Sequence, residues 1–210
     1  MSAFLPDPAA WPFAPGEGPF RIKGTGYRGH LEYVQACVPG GTKGMIERFD
    51  DPRLARFFEQ PFLAASLYDL YPLVAAAGTC AAASGLSPRD FVDRRSRAQA
   101  PKDVGGVYRF LLAMVPTQSV ARRVPQLFTQ VFDFGRADVL REGAGEVDTA
   151  FDGIPSALAP WFGQVFTSYG EAALVASGAA RGAFSVRSTT PSGSAHGVPL
   201  ARIHVEIRWS

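Results

Sequence analysis

The end of the chain carries the most regular hydrophobic pattern in the sequence. Over eight residues the side chains alternate strictly between apolar (Ile203, Val205, Ile207, Trp209) and polar (Arg202, His204, Glu206, Arg208). Successive side chains of a strand point to opposite faces of a sheet. A period of two therefore predicts a strand with one face in the core.

The first half of the chain shows helical spacing instead. Leu31, Val34 and Val38 share one face of a helix that the Pro39–Gly41 segment ends. The Asp51–Pro52 pair is typical of the N-cap and first position of another helix. Further helices are predicted over 43–49 with Thr42 as N-cap, over 62–71, from Ser87-Pro88, and over the apolar stretch 104–115.

After Pro125 the pattern changes to strands. These are predicted over 127–134, 137–141, 146–151 and 183–188, with a long helix capped by Ser156 and a flexible hairpin loop over 190–197. This order favours an α+β fold, in which an N-terminal cluster of short helices is followed by an antiparallel sheet (β-β-(β)-α-β-β) backed by helices.

Residues 1–19 differ from the rest in composition. Five prolines are spaced too closely for a helix or a central strand: Pro6, Pro8, Pro12, Pro15 and Pro19. We therefore predict a proline-rich N-terminal arm over 1–19 and a single α+β ligand- or partner-binding domain over 20–210. The apolar residues of the arm should lie on its own domain or on a partner chain.

Composition and charge exclude several classes of protein. Hydrophobic residues make up 47% of the 210, enough for a core, and 21 Lys and Arg against 19 Asp and Glu leave a net charge of +2. Nucleic-acid binding needs a concentrated basic face, so we expect no nucleic acid partner. Without a long apolar run or a signal-peptide pattern, we expect a cytoplasmic protein with no membrane span.

Candidate chemistry is sparse. The segment Gly24–Gly29 reads G-x-G-x-x-G, the dinucleotide-binding pattern, but helices follow where a second parallel strand is required. The glycines are therefore predicted to serve the entry into the first helix. Ser192, Ser194 and His196 lie close in sequence, but on a loop too loose for catalysis. The histidines and the two cysteines, predicted as buried thiols, lack metal-site spacing. We predict no catalytic residue, no metal and no cofactor.

The long helix after Ser156 carries the candidate binding surface. Its broad apolar side should pack on the sheet, and it can also line a ligand cavity or a dimer interface. The residues predicted to bind a ligand are aromatic: Tyr71, Tyr108, Trp161, Phe166 and Tyr169. Arg94, Arg95 and Arg97 are predicted to turn outward from the helix that begins at Pro88. Together with Lys102 they form a basic run, which is either a solvated face or a site for an acidic partner or a ligand carboxylate.

Several short segments resemble a known superfamily. They are Ile22-Lys23-Gly24-Thr25, Leu70-Tyr71-Pro72, the passage from Arg123-Val124-Pro125 to Phe134-Gly135, and the closing strand Ala201–Trp209. In these segments the chain is similar to the 4-vinyl-reductase-like domains, the haem-NO-binding domains and the TRAPP Bet-type subunits, and most similar to a myxobacterial paralogous domain of unknown function.

The resemblance implies helices with an antiparallel sheet, an apolar cavity for a small or acyl-like ligand, and frequent dimerisation. The haem-NO-binding branch has a proximal His followed by Tyr-x-Ser-x-Arg, a motif that this sequence lacks.

Three functions follow as hypotheses. The first is a non-catalytic binding module for a hydrophobic small molecule or a partner protein, as a sensor, scaffold or accessory protein that forms a homodimer. The second is an enzyme or biosynthetic accessory protein for a small aromatic or acyl substrate, with Tyr71, Tyr108, Tyr169 or His204 in its site. The third is a nucleotide or haem sensor, with His30 or His204 as the candidate axial ligand.

Overall fold

The computed structural model of this chain describes residues 4–7, 10–105 and 124–210. The first elements are β1 (Arg21–Lys23), α1 (Gly24–Cys37), α2 (Gly41–Ile46), α3 (Pro52–Phe58), β2 (Leu67–Asp69), α4 (Tyr71–Ala83) and α5 (Pro88–Gly105). The later ones are α6 (Val124–Val131), β3 (Arg136–Gly143), β4 (Glu146–Pro155), a 3-10 turn (Ser156–Leu158), α7 (Ala159–Ala176), β5 (Gly182–Ala195) and β6 (Val198–Trp209). The predicted α+β class is confirmed.

The main sheet has four antiparallel strands in the order β3-β4-β6-β5. The regular pattern at the end of the chain places β6 in the middle of this sheet. Ile203, Val205 and Ile207 are fully buried, and α7 packs over this side of the sheet. Among the described helices, none has the length and apolar character needed to cross a membrane.

Two predicted elements are wrong in type. Residues 127–134, predicted as a strand, begin in helix α6, whose Leu127, Phe128 and Val131 share one helical face. A short apolar run satisfies both periods, and tertiary packing decides between them. Residues 62–71, predicted as a helix, form a loop and β2, because Phe62 stacks on Tyr27 and α4 begins only at Tyr71.

The hairpin predicted around 190–197 is present, but the predicted flexible loop is wrong. β5 and β6 stay paired from Gly182 and Trp209 to Ala195 and Val198, which leaves a turn of two residues. These residues, His196 and Gly197, both have positive φ (53° and 76°), as the tightest hairpin turns require. Both faces of this part of β5 are exposed, so its polar sequence gives no alternating signal.

Four residues were predicted to cap the start of a helix, and two of them do so. Asp51 accepts a hydrogen bond from the Arg53 N–H at 2.8 Å, and the Ser87 hydroxyl accepts one from the Asp90 N–H at 3.1 Å. Thr42 and Ser156 do not act as predicted. α2 begins at Gly41, and a 3-10 turn separates Ser156 from α7.

The N-terminal arm docks on its own chain. The Asp69 carboxylate accepts hydrogen bonds from the N–H groups of Gly16 (3.0 Å), Gly18 (3.1 Å) and Tyr71 (3.0 Å). Trp11 is buried and stacks on Tyr71 with a ring centroid distance of 4.9 Å. One buried side chain thus ties the arm to β2 and to the start of α4.

Replacing Asp69 by Ala should release the arm. Three backbone donors lose their acceptor, so we expect the free energy of unfolding to fall by about 2–4 kcal/mol. Urea unfolding followed by tryptophan fluorescence measures this loss, together with a red shift as Trp11 meets water. Asp50→Ala, which removes an exposed carboxylate, should change neither quantity. An unchanged stability in Asp69→Ala would contradict the anchoring role.

His30 is buried on α1 without charge. It is 2% exposed, and its Nε2 has no hydrogen-bond partner among the described residues. Burial, and then the charge of Arg95, lower the pKa of His30 from 6.5 to about 3. The folded protein therefore keeps the neutral imidazole at pH values where the unfolded chain is already protonated.

This difference predicts acid lability. As the pH falls below the unfolded pKa of 6.5, the unfolded chain gains a proton that the folded chain does not accept until about pH 3, so folding weakens. Between about pH 7.5 and about pH 5.5 this costs about 1 kcal/mol. Urea unfolding at both pH values should show a smaller pH effect for His30→Asn. The exposed-residue control His196→Asn should behave as the native chain does, and equal pH effects in all three would refute the assignment.

Candidate functional site

A cavity of about 200 Å³ lies between the helical part of the chain and the main sheet. It is lined by residues of β1, α1, α4, α5, α6, α7, β4 and β5. Most of the wall is apolar and much of it aromatic: Ile22, Leu73, Leu127, Phe128, Val131, Phe132, Phe151, Trp161, Val165, Phe166, Ala173, Leu174 and Phe184.

The aromatic wall is a connected stack. Phe166 of α7 stacks on Phe151 of β4 with ring centroids 4.0 Å apart, and it also contacts Phe128 and Phe162. Offset aromatic pairs of this kind add stabilisation beyond the area that they bury. The cavity is therefore bounded by side chains that hold one another in place.

A polar group from α5 and α7 also lines the cavity. The Asp103 carboxylate accepts hydrogen bonds from Gln99 Nε2 at 2.7 Å and from the Tyr169 hydroxyl at 2.9 Å. Arg95, two turns earlier on α5, donates from Nη2 to the Gly26 carbonyl at 3.2 Å. Burial raises the pKa of Asp103 and lowers that of Arg95.

Further polar contacts outside the cavity hold α5 against α7. The Ser168 hydroxyl donates to Asp93 at 2.6 Å, and Arg97 pairs with both Asp93 (3.1 Å) and Glu171 (2.8 Å). Asp93 of α5 thus has partners on both helices, and Arg97 of α5 reaches Glu171 of α7. This seam keeps the two helices that carry the polar group in register.

The glycines of the nucleotide-like motif serve packing. A Cβ at residue 29 would lie 2.6 Å from Gln99 Cδ, and one at residue 26 would lie 2.7 Å from Ile22 Cδ1. β1, the strand before the motif, pairs antiparallel with β2, so these strands do not form the parallel unit of a dinucleotide site. The glycines let α1 approach α5 and the cavity.

The structure places the predicted ligand-binding residues in different regions. Trp161, Phe166 and Tyr169 line the cavity. Tyr71 lies away from it, under Trp11, and Tyr108 lies outside the described residues.

Arg95, Gln99 and Asp103 are the functional candidates that the sequence analysis missed. Arg95 is 9% exposed, so the prediction that it turns outward is wrong, whereas Arg94 and Arg97 are more exposed. The sequence contains one signal that these residues face the interior, namely their spacing along α5. Phe91, Arg95, Gln99 and Asp103 recur every four residues and so share a helical face with a buried aromatic residue.

The chain's histidines and cysteines lie elsewhere. None of its three histidines and neither of its cysteines lines the cavity. His204 lies on the sheet, 3.9 Å from Asp148, and His196 in the hairpin turn. Cys80 is buried as predicted, but Cys37 is exposed. The described residues form no group of three or more potential metal ligands.

No protein-family model matches the sequence, and no curated protein does. Solved structures match it at 9–12% identity. A mutant of the H-NOX protein from T. tengcongensis is 10% identical with a TM-score of 0.61, covering 90% of this chain and 98% of that one. An oxygen-binding H-NOX domain related to soluble guanylate cyclases, in its oxygen complex, is 10% identical with a TM-score of 0.58, covering 90% and 95%.

A third match is the Fe(II) unliganded H-NOX protein from K. algicida, at 11% identity and a TM-score of 0.54, covering 90% of this chain and 97% of that one. At such identities the likeness concerns the fold alone. It supports the haem-NO-binding branch of the resemblance, and not the other branches that the short segments suggested. This chain has the fold of the haem-NO-binding (H-NOX) domains.

Proposed function

We propose that this protein binds a small hydrophobic molecule in the cavity between α5, α6, α7 and the sheet, as a sensor or accessory module. The observation that carries the proposal is the cavity itself, whose described wall is mostly apolar and has one polar group from α5 and α7. Concave apolar sites with a few placed polar groups are typical of ligand pockets.

The size of the cavity limits the ligand. Its volume of about 200 Å³ is below the usual range for drug-sized ligands, and a cavity of roughly 150 Å³ lined by apolar side chains binds benzene. The expected ligand is therefore a substituted one- or two-ring aromatic compound or a short acyl chain.

The residues of the cavity do not fit a histidine-bound haem. Haem iron takes an axial His, Cys, Met or Tyr, and none of the chain's histidines or cysteines lines this wall. Tyr169 does line it, but its hydroxyl already donates to Asp103. The proposal therefore uses the H-NOX fold without a histidine-bound haem. Homodimer formation and a cytoplasmic location remain predictions.

Filling the cavity should block binding. Indole is a neutral probe of suitable size, and isothermal titration calorimetry measures its affinity. Ala173→Phe places a ring in the cavity and should weaken indole binding by about tenfold or more. Val175→Phe adds the same ring on the exposed side of α7 and should bind indole as the native chain does. Equal affinity in both variants, with both shown to be folded, would place the site elsewhere.

Haem provides a separate check. If no histidine reaches the cavity, haemin titration of the purified chain should give no sharp Soret band at a stoichiometry of one, and His30→Ala and His204→Ala should not change the spectrum. A stoichiometric band that either variant abolishes would overturn the choice of a ligand other than haem.

A further inference from the structure

Arg95 is a buried cation in the wall of an apolar cavity. Its side chain lines the cavity, although only 9% of the residue is exposed. Taking an arginine out of water costs several kcal/mol unless its charge and N–H groups find partners. The contacts around Arg95 therefore show which hydrogen-bond acceptors and which negative charge a ligand could supply.

The described partners of Arg95 leave most of its donors free. A guanidinium has five N–H donors. Nη2 donates to the Gly26 carbonyl at 3.2 Å, while Nε is buried with no hydrogen-bond partner among the described residues. No carboxylate of the described residues lies within ion-pair distance of Arg95.

The nearest acid is already engaged elsewhere. Asp103 acts on Arg95 only from beyond ion-pair range, and its carboxylate accepts from Gln99 and Tyr169. The other titratable groups that act on Arg95 are Tyr169, Tyr33 and His30, and His30 is neutral at physiological pH. A positive charge thus remains exposed to the cavity, beside a wall of aromatic and aliphatic side chains.

We propose that the ligand of this cavity is a compact hydrophobic monocarboxylate, whose carboxylate binds the guanidinium of Arg95 while its apolar body lies among the aromatic side chains of α6 and α7. This inference rests on the proposed function and names its ligand class. Arginine binds carboxylates through two parallel N–H···O bonds, which would use donors of Arg95 that have no partner among the described residues.

The charge of the site favours a carboxylate over a phosphate. One carboxylate neutralises the single charge of Arg95. A phosphate monoester brings a charge of about −1.5 to −2 at neutral pH, so the excess negative charge would lie in an apolar cavity near Asp103. Among the described residues that line the cavity, Arg95 is the only cation, so that excess has no partner there.

Paired ligands that differ only in charge test the inference. Indole-3-carboxylate and indole-3-carboxamide have nearly the same shape, and hexanoate with hexanamide forms an acyl pair. Calorimetry on the full chain should show that at least one acid binds about tenfold or more tightly than its amide. The pair that shows the preference identifies the body as aromatic or acyl, and no preference in either pair overturns the inference.

Matched variants locate the preference at Arg95. Arg95→Met keeps an unbranched, flexible side chain without the charge and should bind acid and amide equally, whereas Arg94→Met, at an exposed position of α5, should keep the preference of the native chain. A preference that survives Arg95→Met overturns the inference. Neutral indole separates the two proposals: if indole binds but the acids are not favoured, only the carboxylate assignment fails.

An NMR measurement on the native protein tests the inference even if the Arg95→Met variant does not fold. In ¹⁵N-labelled native protein, the Nε–H resonance of Arg95 should shift downfield when the favoured acid is added and stay in place with the amide. The Nε–H of Arg97, already paired with Asp93, serves as the internal control. An Arg95 resonance that does not respond to a bound acid would overturn the inference.

Discussion

The contact between α5 and α7 is the constraint on which the cavity depends. α5 belongs to the helical part of the chain, and α7 packs on the main sheet, so their contact joins the two layers. It is held by the carboxylates of Asp93 and Asp103, which accept hydrogen bonds from Ser168 and Tyr169. Charge-assisted hydrogen bonds of this kind fix both distance and register. The polar group of the cavity therefore sits on rigid helices.

A buried charge in this position points to function more than to stability. Burying an arginine without an ion-pair partner costs several kcal/mol, so folding alone gives little reason to place Arg95 beside an aromatic wall. Gly26 and Gly29 permit the close packing that buries it, because a Cβ at either position would meet Ile22 or Gln99. The same packing provides the carbonyl that Arg95 binds.

The likeness to H-NOX domains concerns the fold, whereas the residues that line the cavity concern the ligand. The likeness covers 90% of this chain and concerns the arrangement of helices and strands. One fold hosts many chemistries, so function has to be argued from the residues of the site. Here the described wall of the cavity has an arginine and no histidine, and the proposed organic anion is based on that arginine.

Most of the fold followed from local patterns. The strict alternation in β6 and the Asp51 and Ser87 caps were predicted correctly, because each depends on contacts within a few residues. Residues 127–131 were assigned to the wrong element because their apolar positions satisfy both periods, and packing against Phe151 and Phe166 decides for a helix. The outer half of β5 was missed because its side chains are exposed and its pairing with β6 is set by the turn at His196.

The sequence by itself determined the α+β class, the central strand and three aromatic residues of the cavity, since burial of large apolar side chains leaves a periodic trace along the chain. Only the tertiary structure decided that Arg95, Gln99, Asp103 and Tyr169 form one polar group. The sequence of a charged residue is the same whether its side chain faces water or a cavity, so the sequence does not show its environment. Its environment is set by α1 and α7, which are distant in sequence and approach α5 only in the folded protein.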